Sequence, residues 1–291
     1  MAKQASLRCW LPVTFVALAV QAPVRSQQPR VSLSAPELDA GFHLLYELKP
    51  SDARAEFAAW EASHPEDPLA AAAEAASYLF EECYRQGVLT SEFFLDDDRF
   101  LGNVALKPDV ALREAFFAAV QRAQRLARRR LETDQDDANA LFAMTLSLGM
   151  HADYASMIEK HQVESLGMIR DADTFARKLL AVNPDAADAY QTLGVANYII
   201  GSLPRLMRFF LRFKGIRGDK SGGMEQLKIA ATRGRYLRPF AKIVLALAAL
   251  RERQIALARI QLLELVAEFP ENPLFIREAA RLHSSPDAAR R

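Results

Sequence analysis

The densest collection of metal-ligand side chains is His151, Asp153, Glu159, His161 and Glu164. Two imidazoles share one helical face when they lie three or four residues apart. These two are ten apart, so the spacing predicts solvated loop residues. Asp96-Asp97-Asp98 resembles a piece of a calcium loop, but glycine and glutamate are missing at the positions that such a loop requires. An acidic turn is the expectation. Glu81 and Glu82 are adjacent, point to different sides of a helix, and form a poor acid–base pair. Gly215, Gly218, Gly222 and Gly223 beside Lys220 and Ser221 suggest a phosphate loop. The Gly-x4-Gly-Lys-Ser/Thr spacing fails and no strand precedes it, so a turn before a helix is simpler; anion binding at that helix N-terminus is the alternative. No Gly-x-Ser-x-Gly, His-Glu-x2-His or Cys-x2-Cys occurs. These residues predict no enzyme, no cofactor and no metal.

The strongest charge feature is basic. Residues 205–238 hold ten Lys and Arg against two acids. Arg205, Arg208 and Arg212 recur at helical spacing, and Lys214, Arg217 and Lys220 continue the charge. Leu206, Met207, Phe209, Phe210, Leu211 and Phe213 are interleaved. Two arrangements are open: the aromatics pack into a core beneath solvated arginines, or a basic aromatic helix lies on an anionic membrane surface or grips an acidic partner. The whole chain is divided in charge. Residues 34–137 balance to −10 and residues 200–291 to +10, although the total is +1. Nucleic acid is not expected for a chain of pI about 7.8.

The elements that must position these groups follow from composition. The chain of 291 residues has 50 Ala and 38 Leu, but only 24 Val and Ile together and 12 Gly. Strong helix formers dominate and strand formers are scarce, which predicts an all-α protein. Residues 1–26 read as a signal peptide, with Lys3 and Arg8 before an apolar stretch from Cys9 to Ala22. Residues 27–33 read as a linker and 285–291 as a disordered tail. The expected location is exported, periplasmic or at the cell envelope. After cleavage only Cys83 remains, which excludes an internal disulfide.

Residues 34–284 carry a 34-residue repeat. Gly41, Leu44, Ala53, Phe57, Trp60 and Pro65 sit at positions 8, 11, 20, 24, 27 and 32 of one unit. Ala246, Ala249, Ala258, Leu262, Leu265 and Pro270 keep the same offsets. Tyr190, Leu193 and Gly194 open a third recognisable unit, with Gly223 in its second helix. Small residues at positions 8 and 20 let two helices approach closely. On these residues the chain resembles the tetratricopeptide repeat family. The resemblance implies a right-handed α-solenoid of about five helical hairpins with a capping helix at 273–283, and a concave face that holds a protein or peptide. Gly215-Ile216-Arg217-Gly218-Asp219-Lys220, Gly223-Met224-Glu225-Gln226-Leu227 and Ala230 also resemble a segment of the tetratricopeptide-repeat 39 family, over 215–249. Three hairpins are longer than the repeat, between helices A and B: Ala75 to Ala123, Thr145 to Pro184, and Gly194 to Gly223. Such additions emerge on one edge or lengthen the helices. The functional expectation is a non-catalytic exported scaffold for a protein or peptide; the alternative is a peripheral membrane-surface adaptor using 205–220.

Overall fold

The computed structural model describes residues 35–96, 98–99, 102, 106–203, 205–213 and 217–284. The expected signal peptide, the linker, Lys214 and the tail lie outside them. Among the described residues there are only helices and connections. The helices are α1 Pro36–Tyr46, α2 Pro50–Ser63, α3 Pro68–Arg85, α4 Ser91–Leu95, α5 Val110–Thr133, α6 Ala138–Asp153, α7 Gln162–Val182, α8 Ala189–Ser202, α9 Arg205–Phe213, α10 Lys220–Arg233, α11 Arg238–Arg251, α12 Ile255–Glu268 and α13 Pro273–Ser284. A π-helical turn, Tyr154–Ile158, extends α6.

Local chemistry starts these helices. Proline lies in the first turn of α1, α2, α3 and α11, where its fixed φ suits the helix and no partner N–H is lost. Asp109 caps α5 through the Leu112 N–H at 3.0 Å, and Asp137 caps α6 through the Ala140 N–H at 2.8 Å. The ends also recur. Leu48, Gly87, Lys160 and Arg253 are left-handed residues, with φ of 62°, 70°, 60° and 59°, each just after the first helix of a pair. The next N–H returns to close the helix: Lys49 to the Leu44 carbonyl at 3.0 Å, Val88 to Cys83 at 2.9 Å and Gln254 to Ala249 at 2.8 Å. His161 reaches Ala155 at 2.7 Å, one residue further back, because the π turn intervenes.

The main packed pairs are α1–α2, α3–α5, α6–α7, α8–α10 and α11–α12, with α13 on α12. Ala53, Phe57, Leu193, Ala246, Ala258 and Leu262 are buried, as are Gly41 and Gly194. Trp60 donates to Asp67 at 3.2 Å, and Tyr190 is half-buried against the core. Pro65 and Pro270 each follow a helix end. The three long hairpins differ. Between α3 and α5 the added chain forms α4, which packs on α11. Between α8 and α10 it forms α9. In the α6–α7 pair the added length goes mostly into the helices and the π turn.

The first and last pairs also touch. Tyr236 donates to the Ala35 carbonyl at 3.1 Å, and Tyr46 donates to the Tyr236 carbonyl at 3.0 Å. Asn272 donates to the Tyr46 carbonyl at 2.7 Å, and Arg235 forks onto Asp39 at 3.0 and 2.8 Å. Phe42 and Tyr236 stand 5.0 Å apart, Tyr46 and Phe269 5.6 Å, and Phe142 and Tyr236 6.1 Å. In a simple solenoid each unit meets only its neighbours; here aromatic side chains fill the space between the ends. As a result α3 and α6 are buried on nearly every side.

Candidate functional site

Among the described residues a cleft opens beside α9. Gly201, near the end of α8, and Gly218, before α10, hold the two ends of this insertion together. A Cβ on Gly201 would stand 2.9 Å from the Lys220 Cα, and one on Gly218 2.6 Å from the Ile200 Cβ, so neither position has room for a side chain. Arg208 donates to the Gly201 carbonyl at 3.1 Å, tying α9 to the same junction. Leu211, one turn on and on the same face as Arg208, is buried.

The three described phenylalanines of α9 face outward: Phe209 is 54% exposed, Phe210 61% and Phe213 76%. Phe209 and Phe213 meet edge to face at 4.8 Å, one helical turn apart. Of the two arrangements the sequence left open, the aromatics are therefore outside the core. Their neighbours Arg205 and Arg212 are exposed, and Arg208 is half-buried.

Beside this helix lies a cleft of about 590 Å³, lined by Asn197, Arg205, Arg208, Phe209, Arg212 and Arg217. Asp219 contributes the one carboxylate of its lining. The Gly222 N–H and the Ser221 hydroxyl, the latter at 3.0 Å, hold the Asp219 carboxyl below its usual range. Among the described residues no carboxylate lies within ion-pair distance of Arg205, Arg208, Arg212 or Arg217. Lys220 differs: it pairs with Glu252 at 2.7 Å and lines a second opening with Arg208, Ser202 and Ser221. Thus Arg205, Arg208, Arg212 and Arg217 converge, Lys220 faces aside, and Lys214 lies outside the described residues. Asn197 and Gly201 were not singled out by sequence and Gly218 was read as part of a turn before a helix, although Gly201-Ser202 and Gly218-Asp219 bracket the insertion and could have marked it.

The other chemical candidates are dispersed or engaged. Glu159 accepts from Arg113 at 3.0 and 2.7 Å, and His161 lies 3.7 Å from Glu159 and 3.4 Å from Glu164. His151 stands edge-on to Phe117 at 5.2 Å, and burial pushes its pKa down. Among the described residues no three His, Cys, Asp or Glu side chains are grouped to hold a metal ion. Asp96 accepts from the Asp98 and Arg99 N–H groups at 3.0 and 3.1 Å, which makes it a turn residue. Glu81 pairs with Arg54 at 2.7 Å, while Glu82 is buried and takes Arg85 at 2.9 Å and Gln86 at 2.7 Å. Cys83 is buried and its thiol pKa is pushed up, so it has little thiolate character. Burial also pushes Asp153 up to about 7.

No protein-family model matches the chain, and no curated protein matches it.

Proposed function

We propose that this chain is a non-catalytic, exported helical scaffold of tetratricopeptide-like construction that attaches peripherally to an anionic membrane surface through α9. The observation that carries the proposal is the outward face of Phe209, Phe210 and Phe213 beside Arg205, Arg208, Arg212 and Arg217, which have no carboxylate partner among the described residues. The expectation of a peptide held in a concave groove has less support, because Phe42, Tyr46, Phe142 and Tyr236 are buried in the core and offer no exposed face. A protruding helix suits a surface better than a groove suits a peptide. No helix among the described residues is long and apolar enough to cross a membrane, so contact through α9 would be interfacial.

Magnitudes indicate that both halves of the face are needed. Burying three already half-exposed phenylalanines would contribute about 3–6 kcal/mol. Four arginines near an anionic surface would contribute about 4 kcal/mol. Immobilising the protein costs about 4 kcal/mol or more, so neither term alone holds it firmly. The test is vesicle flotation. Wild type should float with vesicles containing phosphatidylglycerol and stay in solution with pure phosphatidylcholine. Changing Phe209, Phe210 and Phe213 together to Ser, or Arg205, Arg208 and Arg212 together to Gln, should each weaken binding at least tenfold with helicity unchanged. Folded variants that float like wild type would exclude α9 as the attachment element.

A further inference from the structure

We infer that the cleft beside α9 selects a lipid whose headgroup is a phosphomonoester, an inference that rests on the membrane-surface proposal and names its ligand. General attraction to a charged surface needs arginines spread over a face. Here four guanidinium groups line one concavity, three of them on successive turns of α9 and one supplied by the segment before α10. Like charges at that spacing repel one another, and Asp219 is the single carboxylate among them, already held by Ser221 and Gly222. The arrangement leaves an excess of guanidinium charge that an incoming anion would neutralise. The volume, about 590 Å³, lies within the range of small-molecule sites.

The headgroup class follows from donor geometry. Each guanidinium presents a planar fork of N–H donors that matches two oxygens of a phosphate. Arg208 gives one Nη1 bond to Gly201, and its remaining donors can turn to the cleft. A phosphomonoester carries three terminal oxygens and close to two charges above pH about 6, so it can occupy several forks together. A phosphodiester has two terminal oxygens and one charge, and fills fewer. Phe209 lines both the cleft and the outward aromatic face. A lipid seated by its phosphate would therefore lay its acyl chains on Phe209 and Phe213.

The experiment uses the full chain and phosphatidylcholine vesicles doped with phosphatidic acid or phosphatidylglycerol, adjusted to equal surface potential. Wild type should bind the phosphatidic acid vesicles at least tenfold more tightly. That preference should grow between pH 5 and pH 7, as the second phosphate proton leaves. Arg205→Lys with Arg212→Lys keeps the charge and removes two forks; it should lose the preference while still binding phosphatidylglycerol. Arg217→Lys, placed outside any helix, should reduce the preference without a change in helicity. Glycerol 3-phosphate should bind at least a hundredfold more weakly than the vesicles. Equal affinity for both compositions, or a preference undiminished in the Lys variants, would overturn the headgroup assignment and leave membrane attachment standing. Glycerol 3-phosphate bound as tightly as lipid would move the site to soluble phosphomonoesters. Failure to bind either vesicle would remove the membrane proposal itself.

Discussion

Gly194 leaves no room for a larger side chain in the α8–α10 pair. A Cβ there would stand 2.8 Å from the Leu227 Cγ, 2.9 Å from the Leu227 nitrogen and 3.0 Å from the Gly223 carbonyl oxygen. Two of these three atoms are backbone and cannot swing aside. Ala at a helical position gains about 1 kcal/mol over Gly, whereas overpacking costs about 1–3 kcal/mol. Gly194→Ala should therefore lower the Tm by a few degrees and Gly194→Leu by more; an unchanged thermal transition would contradict the close approach. Asp153 supplies a pH-dependent counterpart. It lies where α6 passes into the π-helical turn, and burial raises its pKa to about 7. A folded pKa above the unfolded one means that the folded protein binds the proton more tightly. Stability from this group therefore rises as pH falls from about 7 towards 4, and the charged form is a cost above 7. Asp153→Asn should raise the Tm at pH 8, with the gain shrinking at pH 5. A gain that is the same at both pH values would show that burial does not set this group's pKa.

At the scale of the elements, the hairpins were legible in the sequence because their determinants are local. Gly41, Ala53, Gly194, Ala246 and Ala258 mark close helix approaches by size alone, and Pro50, Pro68 and Pro273 mark helix starts. The fate of each insertion was not legible. The α4 insertion is absorbed by long-range contacts, with Arg251 donating to the Phe94 carbonyl at 2.6 Å and Ser91 bonded to Glu278, and no spacing within 86–109 announces them. Phe209, Phe210 and Phe213 read equally well as core or surface, since burial depends on what else packs there. The turns yield a prediction of their own. Arg253 holds a left-handed φ of 59°, which costs a residue with a Cβ about 1–2 kcal/mol. Glycine removes that strain and gives back part of the gain through greater freedom in the unfolded chain. Arg253→Gly should raise the Tm by about 1–4 °C in a scanning calorimeter. A lower Tm would mean that the arginine side chain contributes more than its backbone costs.

At the scale of the molecule, the division of charge has two destinations. Part of it closes the fold: Arg235 on Asp39, and Arg281 3.6 Å from Glu92, join the basic C-terminal region to the acidic N-terminal helices. Part of it remains unpaired at α9. Counting residues detects the division but cannot separate these uses, because the pairing partners lie nearly 200 residues apart in sequence. Phe42, Tyr46, Phe142 and Tyr236 are buried in one shared core, whereas Phe209, Phe210 and Phe213 stay exposed. Attachment to a membrane therefore requires that α9 enter an apolar interface. Phe210→Trp places a reporter on its exposed face, and the emission of Trp60, the one tryptophan outside the expected signal peptide, can be subtracted with the wild-type spectrum. On addition of phosphatidylglycerol vesicles, the reporter's emission should move to shorter wavelength and be quenched by brominated acyl chains, with no response to phosphatidylcholine alone. An unshifted, unquenched signal from a folded variant in the presence of saturating anionic vesicles would contradict the central claim.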